Sequence, residues 1–127
     1  MPQIASSAAI PDRRRRVICV DDDLRILKAL EGMLRQMGHD VTTTDSGADL
    51  LRRIEAEQFD VLITDLGMPG MDGREVARTA KRLSPDTRVL LLTGWADRLR
   101  VEGELPAGVD KLLGKPITKA QLQQALA

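Results

Sequence analysis

Three consecutive acids, Asp21, Asp22 and Asp23, close the apolar run Val17-Ile-Cys-Val20, and a fourth, Asp65, closes the run Val61-Leu-Ile-Thr64. The hydroxyl of Thr93 ends the run Arg88-Val-Leu-Leu-Leu92, and Lys115 follows Leu112-Leu113-Gly114. Carboxylates brought together repel one another and raise a pKa unless a cation compensates. Hard divalent cations prefer oxygen ligands. Magnesium commonly uses one or two carboxylates, keeps several waters and takes the rest of its shell from a phosphate. Asp22 and Asp65 suit direct ligation and Asp21 ligation through water, while the Gly67 carbonyl completes the protein side. Calcium would ask for more ligands than these. Lys115 can neutralise a phosphoryl oxygen as a point charge, and Thr93 can donate a hydroxyl. A carboxylate serves as nucleophile in phosphoryl transfer, where positioning and charge neutralisation supply most of the catalysis. Asp65, beside metal, lysine and hydroxyl, is placed to be phosphorylated.

This chemistry requires residues far apart in the chain to meet, so the elements between them must bring them to one edge. Short apolar runs recur at VICV (17–20), HDVTTT (39–44), FDVLIT (59–64), RVLLLT (88–93) and VDKLL (109–113), and their brevity and β-branched content predict buried strands. Between them, Ile26, Leu27, Leu30, Met33, Leu34 and Met37 fall at helical spacing, as do Leu50, Leu51 and Ile54, then Val76, Ala80 and Leu83. Gly38 suits the end of the first helix, Ser46 the start of the second, and Ser84-Pro85 the end of the third. A short helix is expected within 96–105, and a last one, carrying Leu122 and Leu126, within 118–127. Strands alternating with helices predict an α/β domain with a doubly wound, five-stranded parallel sheet. In such a sheet the residues that follow each strand gather along one edge, where ligands of these folds bind.

The chain is 127 residues long, one domain's worth, with 43% hydrophobic and 30% charged residues, a globular balance. Lys plus Arg equals Asp plus Glu at 19 each, so no overall field draws the chain onto nucleic acid or an anionic membrane, and no apolar run reaches the length that spans a bilayer. Cys19, the single cysteine, lies inside an apolar run and reads as a buried hydrophobe. The absence of a second cysteine excludes a disulfide framework and suits a reducing cytoplasm. With Phe59 and Trp95 as its two aromatics, the chain has no base-stacking surface. Residues 1–16, with two prolines and four arginines but no apolar period, read as a flexible basic tail ahead of a domain over 17–127.

Val20-Asp-Asp-Asp23, Asp65 within DLGMPGMDG, Thr93 within LLLTG, and Lys115-Pro116 together resemble the receiver domain of bacterial two-component response regulators, over residues 17–127. The resemblance implies Asp65 as phosphoacceptor, Asp21 and Asp22 as the acidic pair holding Mg2+, Thr93 as the switch hydroxyl and Lys115 as the phosphoryl group's ion-pair partner. It further implies a flavodoxin-like strand order of 2-1-3-4-5 and a cis peptide before Pro116. The phosphoryl donor would be a sensor histidine kinase or a histidine phosphotransfer protein in the cytoplasm. The domain would be a signalling acceptor that assists its own phosphorylation and dephosphorylation, not an enzyme. DLGMPGMDGREVA followed by LLLTGW is most similar to receivers attached to hybrid sensor histidine kinases, which work in phosphorelays.

Two positions depart from the family's pattern. Leu112 stands near where many receivers carry an aromatic, and Gly67 replaces a larger residue two places after the acceptor. Asp23 reads as a helix cap, Asp72 as a turn residue, His39 as a residue at a turn or strand start, and Trp95 as a border of the site or packing against its loop. An aspartyl phosphatase would want a second acid where Gly67 stands, and a flavin carrier would want hydroxyls or glycines in place of Asp21 to Asp23. A receiver fold used for docking, with little phosphorylation-driven switching, is the alternative function.

Overall fold

The computed structural model describes residues 14–68, 70–94 and 105–127. Most of the expected basic tail, Trp95 and nearly all of the short helix expected within 96–105 lie outside the described residues. Five strands form one sheet: β1 Arg16–Val20, β2 Asp40–Thr44, β3 Val61–Asp65, β4 Arg88–Thr93 and β5 Lys111–Gly114. The described helices are α1 Leu24–Gln36, α2 Gly47–Ala56, α3 Gly73–Leu83 and α4 Lys119–Leu126. Every strand pair is parallel, and the order is β2-β1-β3-β4-β5, as the resemblance implied. Between β3 and α3 an antiparallel ribbon pairs Gly67–Met68 with Met71–Asp72. It turns at Gly70, whose φ of 77° lies in the left-handed region that favours glycine.

Alternation along the strands splits the core into two layers. Val17, Cys19, Ile63, Leu90 and Leu92 face α1 and α4, meeting Leu27, Leu30, Leu34 and Leu122. Ile18, Val20, Leu62, Leu91 and Leu112 face α2 and α3, meeting Leu50, Ile54, Val76 and Ala80. Coverage on both faces explains why the central strands read as unbroken apolar runs. Each helix starts on a side-chain cap: Asp23 accepts from the Arg25 N–H, Ser46 from Asp49, Asp72 from Arg74, and Thr118 from Gln121 in a reciprocal capping box.

Three expectations shift. Phe59 and Asp60 precede β3, where Phe59 is a buried plug and the Asp60 carboxylate accepts the Arg16 N–H at 2.8 Å. Val109 and Asp110 precede β5, because Asp110 turns its carboxylate back onto the Val89 N–H at 2.7 Å. Leu83, expected in the core, is 38% exposed: it is the last residue of α3, and the buried stripe of that helix ends at Ala80.

Candidate functional site

β1 ends at Val20, so Asp21 is the first residue beyond it, and its 1% exposure puts a carboxylate almost wholly out of water. Its Oδ1 accepts the Asp23 N–H at 2.9 Å, the same turn in which Asp23 caps α1. Asp65 ends the adjacent β3 and is 6% exposed, whereas Asp22 is exposed. One carboxylate oxygen from each of Asp21, Asp22 and Asp65 lies within 4.8 Å of the others. Lys115 follows β5, with its Nζ 2.6 Å from Asp65 Oδ1 and 3.6 Å from Asp21 Oδ2.

The backbone places that lysine. The Lys115 N–H donates to the Thr93 carbonyl at 3.1 Å, and the Lys115-Pro116 peptide is cis, as the resemblance implied. Thr93 ends β4, 1% exposed, one residue past Leu92, which pairs with Asp65 in the sheet register. Gly67 lies in the ribbon opposite Asp72, exposed, with open space where a side chain would stand. Thus β1, β3, β4 and β5 deliver Asp21, Asp22, Asp65, Thr93 and Lys115 to the same sheet edge, with Gly67 two residues beyond Asp65. Asp23 stays outside the carboxylate group and pairs with Arg25. His39 sits at the opposite end of the sheet, its Nδ1 accepting the Arg15 N–H at 3.0 Å.

Charge at this edge is poorly balanced. Burial, and after it the neighbouring Asp65 charge, raises the Asp21 pKa, against the Asp23 N–H and Lys115, which lower it. For Lys115, burial opposes the charge, but the hydrogen bond to Asp65 and the charges of Asp21 and Asp65 outweigh it, so its pKa is raised and the ammonium persists. Asp21 Oδ2 is buried with no hydrogen-bond partner. An orphaned carboxylate oxygen costs about 1–3 kcal/mol or more, so such groups normally find a partner. An all-oxygen donor set with one buried oxygen that makes no hydrogen bond and meets Lys115 only at 3.6 Å fits a hard divalent cation.

Sequence reasoning missed one residue of this edge. A Cβ on Gly73 would sit 2.1 Å from the Asp65 carbonyl oxygen and 2.8 Å from Leu66 Cα, a backbone clash. The Gly73 N–H donates to the Leu66 carbonyl at 2.8 Å, closing the start of α3 onto the loop that follows Asp65. The Asp72-Gly73 pair after a proline turn was the available signal. Beside Lys115, a cavity of about 370 Å³ opens between α1, through Ile26, Ala29 and Met33, and Pro116-Ile117, over Leu92.

The profile of the response regulator receiver domain family matches residues 17–127. The chain is 36% identical over 103 residues to the response regulator receiver protein CpdR of Brucella abortus, covering 80% of this chain and 85% of that protein. It is 33% identical over 122 residues to the sensor histidine kinase GacS of Pseudomonas protegens, covering 92% of this chain but 13% of the kinase. Among solved structures, the receiver domain of sensor histidine kinase PA1611 from Pseudomonas aeruginosa, with a magnesium ion coordinated in its active site cleft, superposes with a TM-score of 0.78 at 27% identity, covering 90% of this chain and 95% of that one. A CheY-like receiver domain protein from Methanospirillum hungatei gives 0.81 at 29% identity, covering 90% and 91%. The chain belongs to the response regulator receiver domain family, the phosphoacceptor modules of two-component signalling.

Proposed function

We propose that Asp65 is the phosphoacceptor and that a phosphohistidine on a sensor histidine kinase or histidine phosphotransfer protein is the donor. The observation that carries this reading is the 2.6 Å contact of Lys115 Nζ with Asp65 Oδ1 inside the carboxylate group. Lys115 engages Oδ1, which leaves Oδ2 as the attacking atom. Oδ2 forms a bond to phosphorus, the phosphorus–nitrogen bond of the donor breaks, and the imidazole leaves with the electron pair and takes up a proton. Lys115 then neutralises an oxygen of the new aspartyl phosphate, and the Thr93 hydroxyl donates to another. Asp21, Asp22, Asp65 and the Gly67 carbonyl would hold Mg2+, which when bound neutralises charge on the transferring phosphoryl group.

The domain assignment is residues 17–127 as the receiver, with 1–16 as a basic tail. Among the described residues no helix is long and apolar enough to cross a membrane, which suits an acceptor working beside a kinase's cytoplasmic face. The apolar cavity next to Lys115 offers the donor protein a landing place within reach of Asp65. In this role the chain is a stoichiometric acceptor that assists its own phosphorylation and hydrolysis rather than a turnover enzyme.

Incubation with magnesium and acetyl phosphate, read by intact mass, tests the assignment. One added phosphoryl group is expected on the parent chain and none on Asp65→Asn. No adduct on the parent would favour the docking alternative, and an adduct that persists in the variant would move the acceptor elsewhere.

A further inference from the structure

The described helices treat their arginines in two ways. On α1, Arg25 pairs with Asp23 and Arg35 with Glu31; on α2, Arg52 and Arg53 both pair with Asp49. On α3, Arg74, Arg78 and Arg82 are exposed, and none forms an ion pair among the described residues. Glu75, the one acid of α3, engages none of them, and Lys81 is taken up by Asp110. The three arginines stand four residues apart, so they line up along one side of the helix at intervals of about 6 Å, a stripe about 12 Å long. The opposite side, Val76, Ala77 and Ala80, is buried in the core. The stripe starts next to Gly73, whose N–H reaches back to the loop after Asp65, and runs away from that site.

We infer that the solvent face of α3 is a docking surface for an acidic helical segment of a partner protein. A facing helix with acids at every fourth position repeats the same rise, so three guanidinium groups meet three carboxylates in register. Arginine suits this use because its planar fork binds a carboxylate bidentately. The chain as a whole carries equal numbers of acids and bases and two aromatics, without the basic excess or stacking surface that nucleic-acid binding calls for. This surface is independent of which residue accepts the phosphoryl group.

The test is a titration of the 15N-labelled full chain with a synthetic helical peptide carrying glutamates at i, i+4 and i+8. A scrambled peptide of the same composition is the control, with a short DNA duplex and phosphatidylglycerol vesicles as separate arms. The expected result is amide shifts centred on 74–83, an affinity that falls as salt rises, and weakening of about tenfold or more in Arg78→Glu. Arg78→Gln should give an intermediate loss, with the far-ultraviolet spectrum and acetyl phosphate labelling unchanged in both variants. Absence of peptide binding, shifts centred elsewhere, equal binding of the scrambled peptide, or insensitivity to both variants overturns the inference. Tighter binding of the duplex or the vesicles through the same arginines overturns the partner class.

Discussion

The two ends of the parallel sheet carry the same residue types and use them in opposite ways. At the amino end, Asp60 accepts the Arg16 N–H, and Asp110 accepts both the Val89 N–H and the Lys81 ammonium, at 2.7 and 2.6 Å. Arg16 bonds Glu57 and the Gln58 carbonyl while lying 4.9 Å over the Phe59 ring, and Thr87 Oγ1 donates to the Phe59 carbonyl at 2.7 Å. At the carboxyl end, Asp21 and Asp65 share Lys115, Asp22 adds a third carboxylate to the group, and Asp21 Oδ2 has no hydrogen-bond partner. Satisfied charges hold strands in register. Charges left short of partners cost stability and await a ligand, which is why perturbed carboxyls mark functional sites.

The comparison breaks most visibly at Asp110. Asp110→Ala orphans the N–H of fully buried Val89 and leaves Lys81 with the Thr87 carbonyl but no carboxylate, so denaturant unfolding should show a loss of about 2 kcal/mol at neutral pH. Burial alone would raise the pKa of Asp110, but Lys81 and the Val89 N–H outweigh it and hold the carboxyl below its usual value. A depressed folded-state pKa means that the folded chain binds fewer protons than the unfolded one between the two values, so stability rises with pH there. The penalty of Asp110→Ala should therefore be full above the ordinary value of 3.8 and shrink as pH falls through the lowered one. A penalty unchanged down to pH 2 would show that the carboxylate's charge contributes nothing.

The carboxyl end should give the opposite sign. In magnesium-free buffer, Asp21→Asn keeps an oxygen for the Asp23 N–H and removes a buried charge that Asp65 repels, at the cost of the 3.6 Å ion pair with Lys115, which Asp65 still holds. A gain of about 1 kcal/mol is expected, while phosphoryl uptake falls. Magnesium at ten times its dissociation constant should stabilise the parent by about 1.4 kcal/mol and the variant by much less. A variant less stable than the parent without magnesium would mean that this acid belongs with the satisfied group.

Most of this architecture was legible in local pattern. The strands read as apolar runs because both sheet faces are covered, and the site residues could be picked out because each follows or ends a strand. The contacts that distinguish the two ends were not legible. Asp60 and Asp110 read as strand residues within FDVLIT and VDKLL, and their bonds to Arg16 and Val89 span 44 and 21 positions. No helical or strand period encodes such pairings. Gly73 was opaque for the same reason: its necessity comes from the Asp65 backbone, eight positions earlier and adjacent only after the ribbon has turned.

The smallest effect sharpens what "satisfied" means. Arg14 reaches Asp40 at 2.7 Å, closer than Lys115 comes to Asp21, yet the two side chains are 70% and 52% exposed. Water solvates both ions almost as well apart as together, salt screens their attraction, and holding two flexible side chains in one geometry costs entropy. The backbone bond from the Asp40 N–H to the Arg15 carbonyl pins the start of β2 without them. Arg14→Ala should therefore leave the thermal midpoint where the parent has it, at low and at high salt. A clear drop at low salt that vanishes at high salt would show that even exposed pairs carry load at the amino end, and the contrast with the acidic edge would then rest on the sign of the field rather than on burial.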